Sequence, residues 1–320
     1  MTRLNLWLSL GVIVAALLSV AAGKVWVPLD AWTSADPRSL IIVELRLPRT
    51  VLALAVGAAL GFSGAVMQGY LRNPLADPGL FGVSAGAAFG AVCALFFGYA
   101  AQAWLLPGFA LAGAGATMAM LALIAGRSGS LILFTLAGMI LTSIAGSLTA
   151  LAISLAPTPF VASEIVTWLM GALTDRSWDD VLVAVPLMAV GAVILARTAA
   201  ALDALTLGEV AARSMGVDPR RLQLAVVAGI ALLVGASVAA AGVIGFVGLM
   251  VPHLVRPLAG HRPSAILLPS ALAGALLLTV ADTLVRVLPT VAELRLGIAM
   301  SMLGGPFFLY LLVAMRRRLA

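Results

Sequence analysis

Residues 224–241 read LAVVAGIALLVGASVAAA, a run without one charged side chain. A helix needs about 20 mostly apolar residues to cross the roughly 30 Å hydrocarbon core of a bilayer. The same texture recurs near 4–22, 50–70, 80–98, 103–126, 131–155, 180–200, 265–286 and 296–314. Across all 320 residues 62% are apolar and only 10% are charged. Water does not solvate such a surface, and a soluble core does not hide it. In lipid each segment must satisfy its own backbone polar groups, which selects helices. The chain therefore reads as an all-α, polytopic membrane protein, a single transmembrane domain over residues 1–320.

A tenth, less regular crossing is expected at 243–258 (GVIGFVGLMVPHLVRP from Gly242 to Pro257), which holds Pro252 and Pro257. It makes the number of crossings even, so both termini fall on one side. With the N-terminus in the cytoplasm, seven of the 19 basic residues lie outside: Lys24, Arg38, Arg46, Arg49, Arg176, Arg286 and Arg295. The other twelve lie inside, as the positive-inside rule requires. The net charge of +6 thus reflects topology. No basic block carries the aromatic interleaving of a nucleic-acid surface, so no nucleic-acid partner is expected.

Cys93 is the only cysteine, which excludes an internal disulfide. Residues 1–24 share a basic start and small residues at 21–23 with signal peptides, but their apolar run is too long, and a retained first helix is expected. Gly82, Gly86 and Gly90 recur every four residues, as do Gly57 and Gly61. Such small faces let helices approach closely, most simply within the subunit.

The inside segment 202–223 is too polar to span. Thr206-Leu207-Gly208-Glu209 fits a capping box, Gly216 a left-handed helix terminator, and Asp218-Pro219 the start of a second helix. Within 131–155, Thr135, Thr142, Ser143, Ser147, Thr149 and Ser154 gather on one sector of a helix. That sector either lines a polar cavity or turns its hydroxyls back onto its own backbone. Asp282 and Arg286, one turn apart, form a favourable helical pair.

Several chemistries are missing. No G-x-x-x-x-G-K-[ST] phosphate loop occurs, and Gly23-Lys24 is followed by Val25. No HExxH or CxxC occurs, and His253 and His261 are the only histidines, so neither metal nor cofactor is expected. No ladder of buried carboxylates suggests proton coupling. Gly61-Phe62-Ser63-Gly64 with His253 offers a weak intramembrane serine-protease reading.

Leu45-Arg46-Leu47-Pro48-Arg49-Thr50 leads into VGAALGFSGAVMQGYLRNPLADPGLFGVSAGA (56–87). Leu207-Gly208-Glu209 through Gly216 follows, then GVIGFVGLMVPHLVRPLAGHRP (242–263), Leu268-Pro269 through Ala281-Asp282, and GGPFFLYLL (304–312). In order and spacing this chain resembles the FecCD family of ABC-importer permeases, which includes the cobalamin permease. The resemblance implies a ten-helix permease in the bacterial inner membrane. It works as a dimer, here expected to be of identical chains, with two ATP-binding subunits and an outer substrate-binding protein.

The same resemblance places ATPase-coupling helices at about 206–221, with Thr206, Leu207, Gly208, Glu209, Ala212, Arg213 and Gly216 at the contact. It maps the arginines that meet the binding protein onto Arg46, Arg49 and Arg286. It puts a constriction at Asn73 and Leu75, and makes Thr135, Thr142, Ser143 and Ser147 part of the path. The expected activity is import of a metal chelate by alternating access. A ferric siderophore is placed first, with cobalamin or haem as alternatives; a protease and an ion-coupled carrier stand further off.

Overall fold

A computed structural model describes residues 2–25, 27, 38–99, 102, 104–125, 131–290 and 292–319. Helices α1 (Thr2–Ala21), α2 (Leu47–Tyr70), α3 (Val83–Phe96), α4 (Leu105–Ala125) and α5 (Leu131–Ser154) come first. They are followed by α6 (Pro159–Leu169), α7 (Trp178–Ala196), α8 (Ala199–Leu205) and α9 (Glu209–Ser214). The chain closes with α10 (Pro219–Ala241), α11 (Val247–Ala259), α12 (Pro263–Val287) and α13 (Leu296–Leu319). No strand occurs among the described residues.

Seven of these helices are long and apolar enough to cross a bilayer, and α3, α11 and the apolar part of α13 are shorter. Each of the ten expected crossings therefore has a helix. The second crossing begins early, because a π-helical turn at Ile41–Arg46 runs into α2. The short α6 lies in the expected outer segment 156–179, where Thr158 caps it by accepting from Val161 N–H.

The bundle is organised around α2, α10 and α12, which are the most buried of the spans. The Gly57 and Gly61 face of α2 lies directly on the backbone of Ser270 and Gly274 in α12. The Gly86 and Gly90 face of α3 lies on Gly113 and Phe109 of α4. Both glycine faces serve packing inside the subunit. A side chain at any of these positions would enter a neighbouring backbone, which is how small residues substitute for the hydrophobic effect in lipid.

The tenth crossing is a broken one. α10 ends at Gly242, residues 242–246 have no regular structure, and α11 starts only at Val247, behind Phe246 in a left-handed conformation. The backbone between 243 and 245 borders a cavity of about 230 Å³. Irregular backbone at membrane depth is tolerated where it lines such a space.

Candidate translocation path and coupling face

The cavity beside the broken crossing is lined by Leu60, Asp77, Pro78, Ser84, Thr142 and Ile244, among others. Leu60 lies midway along α2, so the connector 71–82 folds back from the end of α2 into the bundle. Asp77 holds it there. Its carboxylate accepts from Gly79 N–H at 2.7 Å and from the Leu249 amide. Leu249 is in the first turn of α11, which has no side-chain cap of its own. One carboxylate thus closes its own turn and caps a distant helix, where the dipole also favours negative charge. Gln68 and Arg256 add a second tie between α2 and α11, with Arg256 Nη2 donating to Gln68 Oε1 at 2.6 Å. Neither tie was expected from the sequence, since each partner lies about 170 to 190 residues away.

A second cavity of about 160 Å³, next to the end of α2, is lined by Leu71, Asn73, Leu75, Phe81, Thr135 and Met139. Three expected path residues, Asn73, Leu75 and Thr135, thus share one space. Thr142 faces the deeper cavity. Ser143 and Ser147 lie on an exposed flank of α5 instead, and Ser147 donates back to the Ser143 carbonyl at 2.9 Å. Thr142 does the same to Gly138 at 2.9 Å. Both readings of the polar sector therefore apply: it lines cavities at two threonines, and hydroxyls bond back to their own helix.

At the end of the bundle that carries α8 and α9 the expected capping box does not form. Thr206, Leu207 and Gly208 finish α8, with their amides donating to Asp203, Ala204 and Leu205 carbonyls. The Thr206 hydroxyl donates to Asp203 O at 2.7 Å, so it serves the helix behind it. Gly208, at φ +99°, starts α9 without a side-chain cap, and Glu209 turns to Arg72 at 3.7 Å. The other two signals appear as expected. Gly216 is left-handed at φ +86° and forms a Schellman turn, with Val217 N–H to Ala212 O and Gly216 N–H to Arg213 O. Asp218 caps α10 through Arg220 and Arg221 amides.

Ala212 anchors α9 in the bundle, while Arg213 and Gly216 are exposed. Leu207, Met215 and Val210, the last 82% exposed, give this end an apolar surface. Val210 was not among the coupling residues expected from the sequence, although an apolar side chain in a polar segment was a signal of such an exposed surface. A groove of about 680 Å³ runs beside it between α7, α8 and α10.

The three arginines expected at the outer rim, Arg46, Arg49 and Arg286, are not free charges. Arg46, 5% exposed, donates to the carbonyls of Val20, Ala21 and Val25 and so caps the C-terminus of α1. Arg49 grips Asp282 through Nε and Nη2 and reaches Glu293 at 2.9 Å. Arg286 donates to Asp282 at 3.2 Å and to Ser19 Oγ at 2.8 Å. The expected Asp282–Arg286 pair is present, enlarged into a cluster of two arginines and two carboxylates. These guanidinium groups turn inward because a buried carboxylate on α12 needs them more than water does.

The protease reading fails on geometry. The Ser63 hydroxyl is fully buried and donates to Ala59 O and Leu60 O of its own helix. The His253 ring meets Phe307 edge-on at 6.1 Å.

A glycine-packed bundle, a break between two helices beside an internal cavity and a short helix pair at one end of the bundle are the parts of a membrane transport permease. The chain belongs to the FecCD transport family, whose profile matches residues 11–314. A relative in Salmonella paratyphi A, called vitamin B12 import system permease protein BtuC, is 40% identical over 98% of this chain and 96% of its own length. The protein of that name in Salmonella typhimurium is 39% identical over the same shares. A solved structure described as an inward-facing metal-chelate type ABC transporter has 32% identity and a TM-score of 0.90. The match covers 98% of this chain and 100% of that one.

Proposed function

We propose that this chain is the membrane subunit of an ATP-driven importer that carries a cobalt corrinoid of the cobalamin class into the bacterial cytoplasm. The observation that carries the reading is the end-to-end likeness, at about 40% identity, to permeases named for vitamin B12 import. The chelate-transporter fold likeness supports the broader class. A ferric siderophore, placed first on the sequence alone, becomes the second reading, because the matched relatives carry the cobalamin name.

Two copies of the chain sit side by side in the inner membrane, with termini in the cytoplasm. The exposed flank of α5, with Ser143 and Ser147, faces the partner copy across the path. Asn73, Leu75 and Thr135 form the cytoplasmic constriction, and Thr142 lines the path above it. Thr206, Leu207, Val210, Arg213, Met215 and Gly216 meet the ATPase subunits. Apolar contacts on an exposed face of this kind gain from leaving water on docking. A substrate-binding protein docks on the outer rim. Arg46, Arg49 and Arg286 support that rim from within instead of meeting the partner as open charges.

Substrate class is tested with the permease reconstituted in proteoliposomes together with its ATPase and binding protein. Labelled cyanocobalamin is expected to accumulate with ATP, and a hundredfold excess of ferric hydroxamate siderophore is expected not to compete. Siderophore uptake without cobalamin uptake would overturn the corrinoid assignment and leave the chelate-importer class standing.

A further inference from the structure

The cytoplasmic end of α2 carries an arginine where glycine would be easier. α2 closes in a Schellman turn, with Asn73 N–H donating to Gln68 O at 3.1 Å and Arg72 N–H to Gly69 O at 3.3 Å. That turn needs a left-handed residue, and Arg72 supplies it at φ +51°. A Cβ makes this conformation costly, and glycine would avoid the cost. Strain kept at such a point is a reason to ask what the side chain does.

The Arg72 side chain crosses to the cytoplasmic helix pair. Its Nη2 lies 3.7 Å from Glu209 Oε1, the first residue of α9. Tyr70, Arg72, Glu209 and Ala212 line one cleft, so the end of α2 and the body of α9 are neighbours there. In the other direction Arg72 is continuous with the constriction. The Asn73 side chain accepts from Leu75 N–H at 2.9 Å, and the Asn73 carbonyl accepts from Ala76 N–H at 3.1 Å. Residues 73–76 therefore form one hydrogen-bonded turn, to which Arg72 is joined through the backbone. Asn73 and Leu75 of that turn face Thr135 and Met139 of α5 across the 160 Å³ cavity.

We infer that the Arg72–Glu209 ion pair is the tie through which displacement of α9 moves the 73–76 turn and so opens or closes the constriction. Both side chains are about 40% exposed, so the tie is weak enough to break and re-form in a cycle. Buried pairs like those at the outer end would not do this. The inference rests on the reading of α9 as the ATPase-facing element.

The test uses the full complex in proteoliposomes and reads cyanocobalamin uptake per ATP hydrolysed. Arg72→Glu and Glu209→Arg are each expected to lower that ratio about fivefold, the upper range for an exposed pair. The swapped double variant R72E/E209R is expected to recover at least half of the loss. Arg72→Gly is the sharper variant, because it relieves the left-handed strain. It is expected to leave the thermal midpoint at or above the parent value while uptake per ATP still falls. Parental coupling in Arg72→Gly, or a double variant no better than the worse single one, would overturn the tie. The premise is read separately: Val210→Cys should cross-link to a cysteine on the ATPase subunit. Its failure to do so in an actively transporting complex would remove the ATPase-facing reading, and the tie with it.

Discussion

The two ends of this molecule use charge in opposite ways. At one end, Arg49, Arg286, Asp282 and Glu293 neutralise one another in the bundle, and Arg46 is spent on backbone carbonyls. At the opposite end, beside α8 and α9, Arg72–Glu209 and Arg221–Asp218 are solvent-exposed pairs, and positive-φ residues at 72, 208 and 216 mark the end of α2 and both ends of the short α9. A buried, fully bonded cluster resists rearrangement, since separating one partner strands another in low dielectric. Exposed pairs at turn-rich segments exchange with water at little cost. The buried cluster keeps α1, α2 and α12 together, whereas the exposed pairs can separate at little cost.

The sharpest way to break this contrast is at Asp282. Asp282→Ala leaves Arg49 and Arg286 facing each other without their shared carboxylate. A loss of about 3–5 kcal/mol is expected, the range for breaking a buried pair. It should appear as a large drop in the thermal midpoint of detergent-solubilised protein. A shift no larger than that of a surface variant would show that water already reaches the cluster.

Next in size is Asp203, in α8 at the opposite end. It accepts from Ser264 N–H at 2.9 Å and Ser264 Oγ at 2.6 Å, and it pairs with Arg262 at 3.1 Å, so it caps α12 from α8. Burial alone would raise its pKa, but the Ser264 bonds and the Arg262 charge outweigh this and hold it below the ordinary carboxylate value. The sign follows from linkage. A carboxyl whose pKa is depressed in the folded state stabilises that state above its unfolded pKa, about 3.9. The contribution fades as pH falls from there through the folded value. Asp203→Ala is expected to cost about 1–2 kcal/mol at pH 7 and progressively less below pH 4. A penalty independent of pH would place the effect in packing.

Smallest is Arg221→Ala. Its side chain is 89% exposed beside Asp218, and a change within about 0.5 kcal/mol is expected. A larger loss in the isolated chain would contradict the view that this end is held loosely.

Much of the fold was legible from hydropathy, because lipid forces each crossing to declare itself as an apolar run. The broken crossing at 242–259 was legible from its prolines and its short length, although Gly242 and Phe246 set the break itself. Turn chemistry was half legible. Gly216 and Asp218 act as local signals do, whereas Thr206 lost its expected role because α8 runs up to it, a helix the sequence did not set apart from the loop. What stayed hidden was every contact between distant residues. The caps at Asp77 and Asp203 look like loop acids in one dimension. Charge counting and resemblance placed Arg46, Arg49 and Arg286 together at one end of the bundle, but neither says whether a long side chain turns outward or in.

The most direct test of the account is the source of energy. The purified chain in proteoliposomes, given a proton or sodium gradient and no other subunit, should accumulate no cyanocobalamin. Adding the ATPase and binding protein with ATP should start uptake. Uphill accumulation by the chain alone would contradict the account.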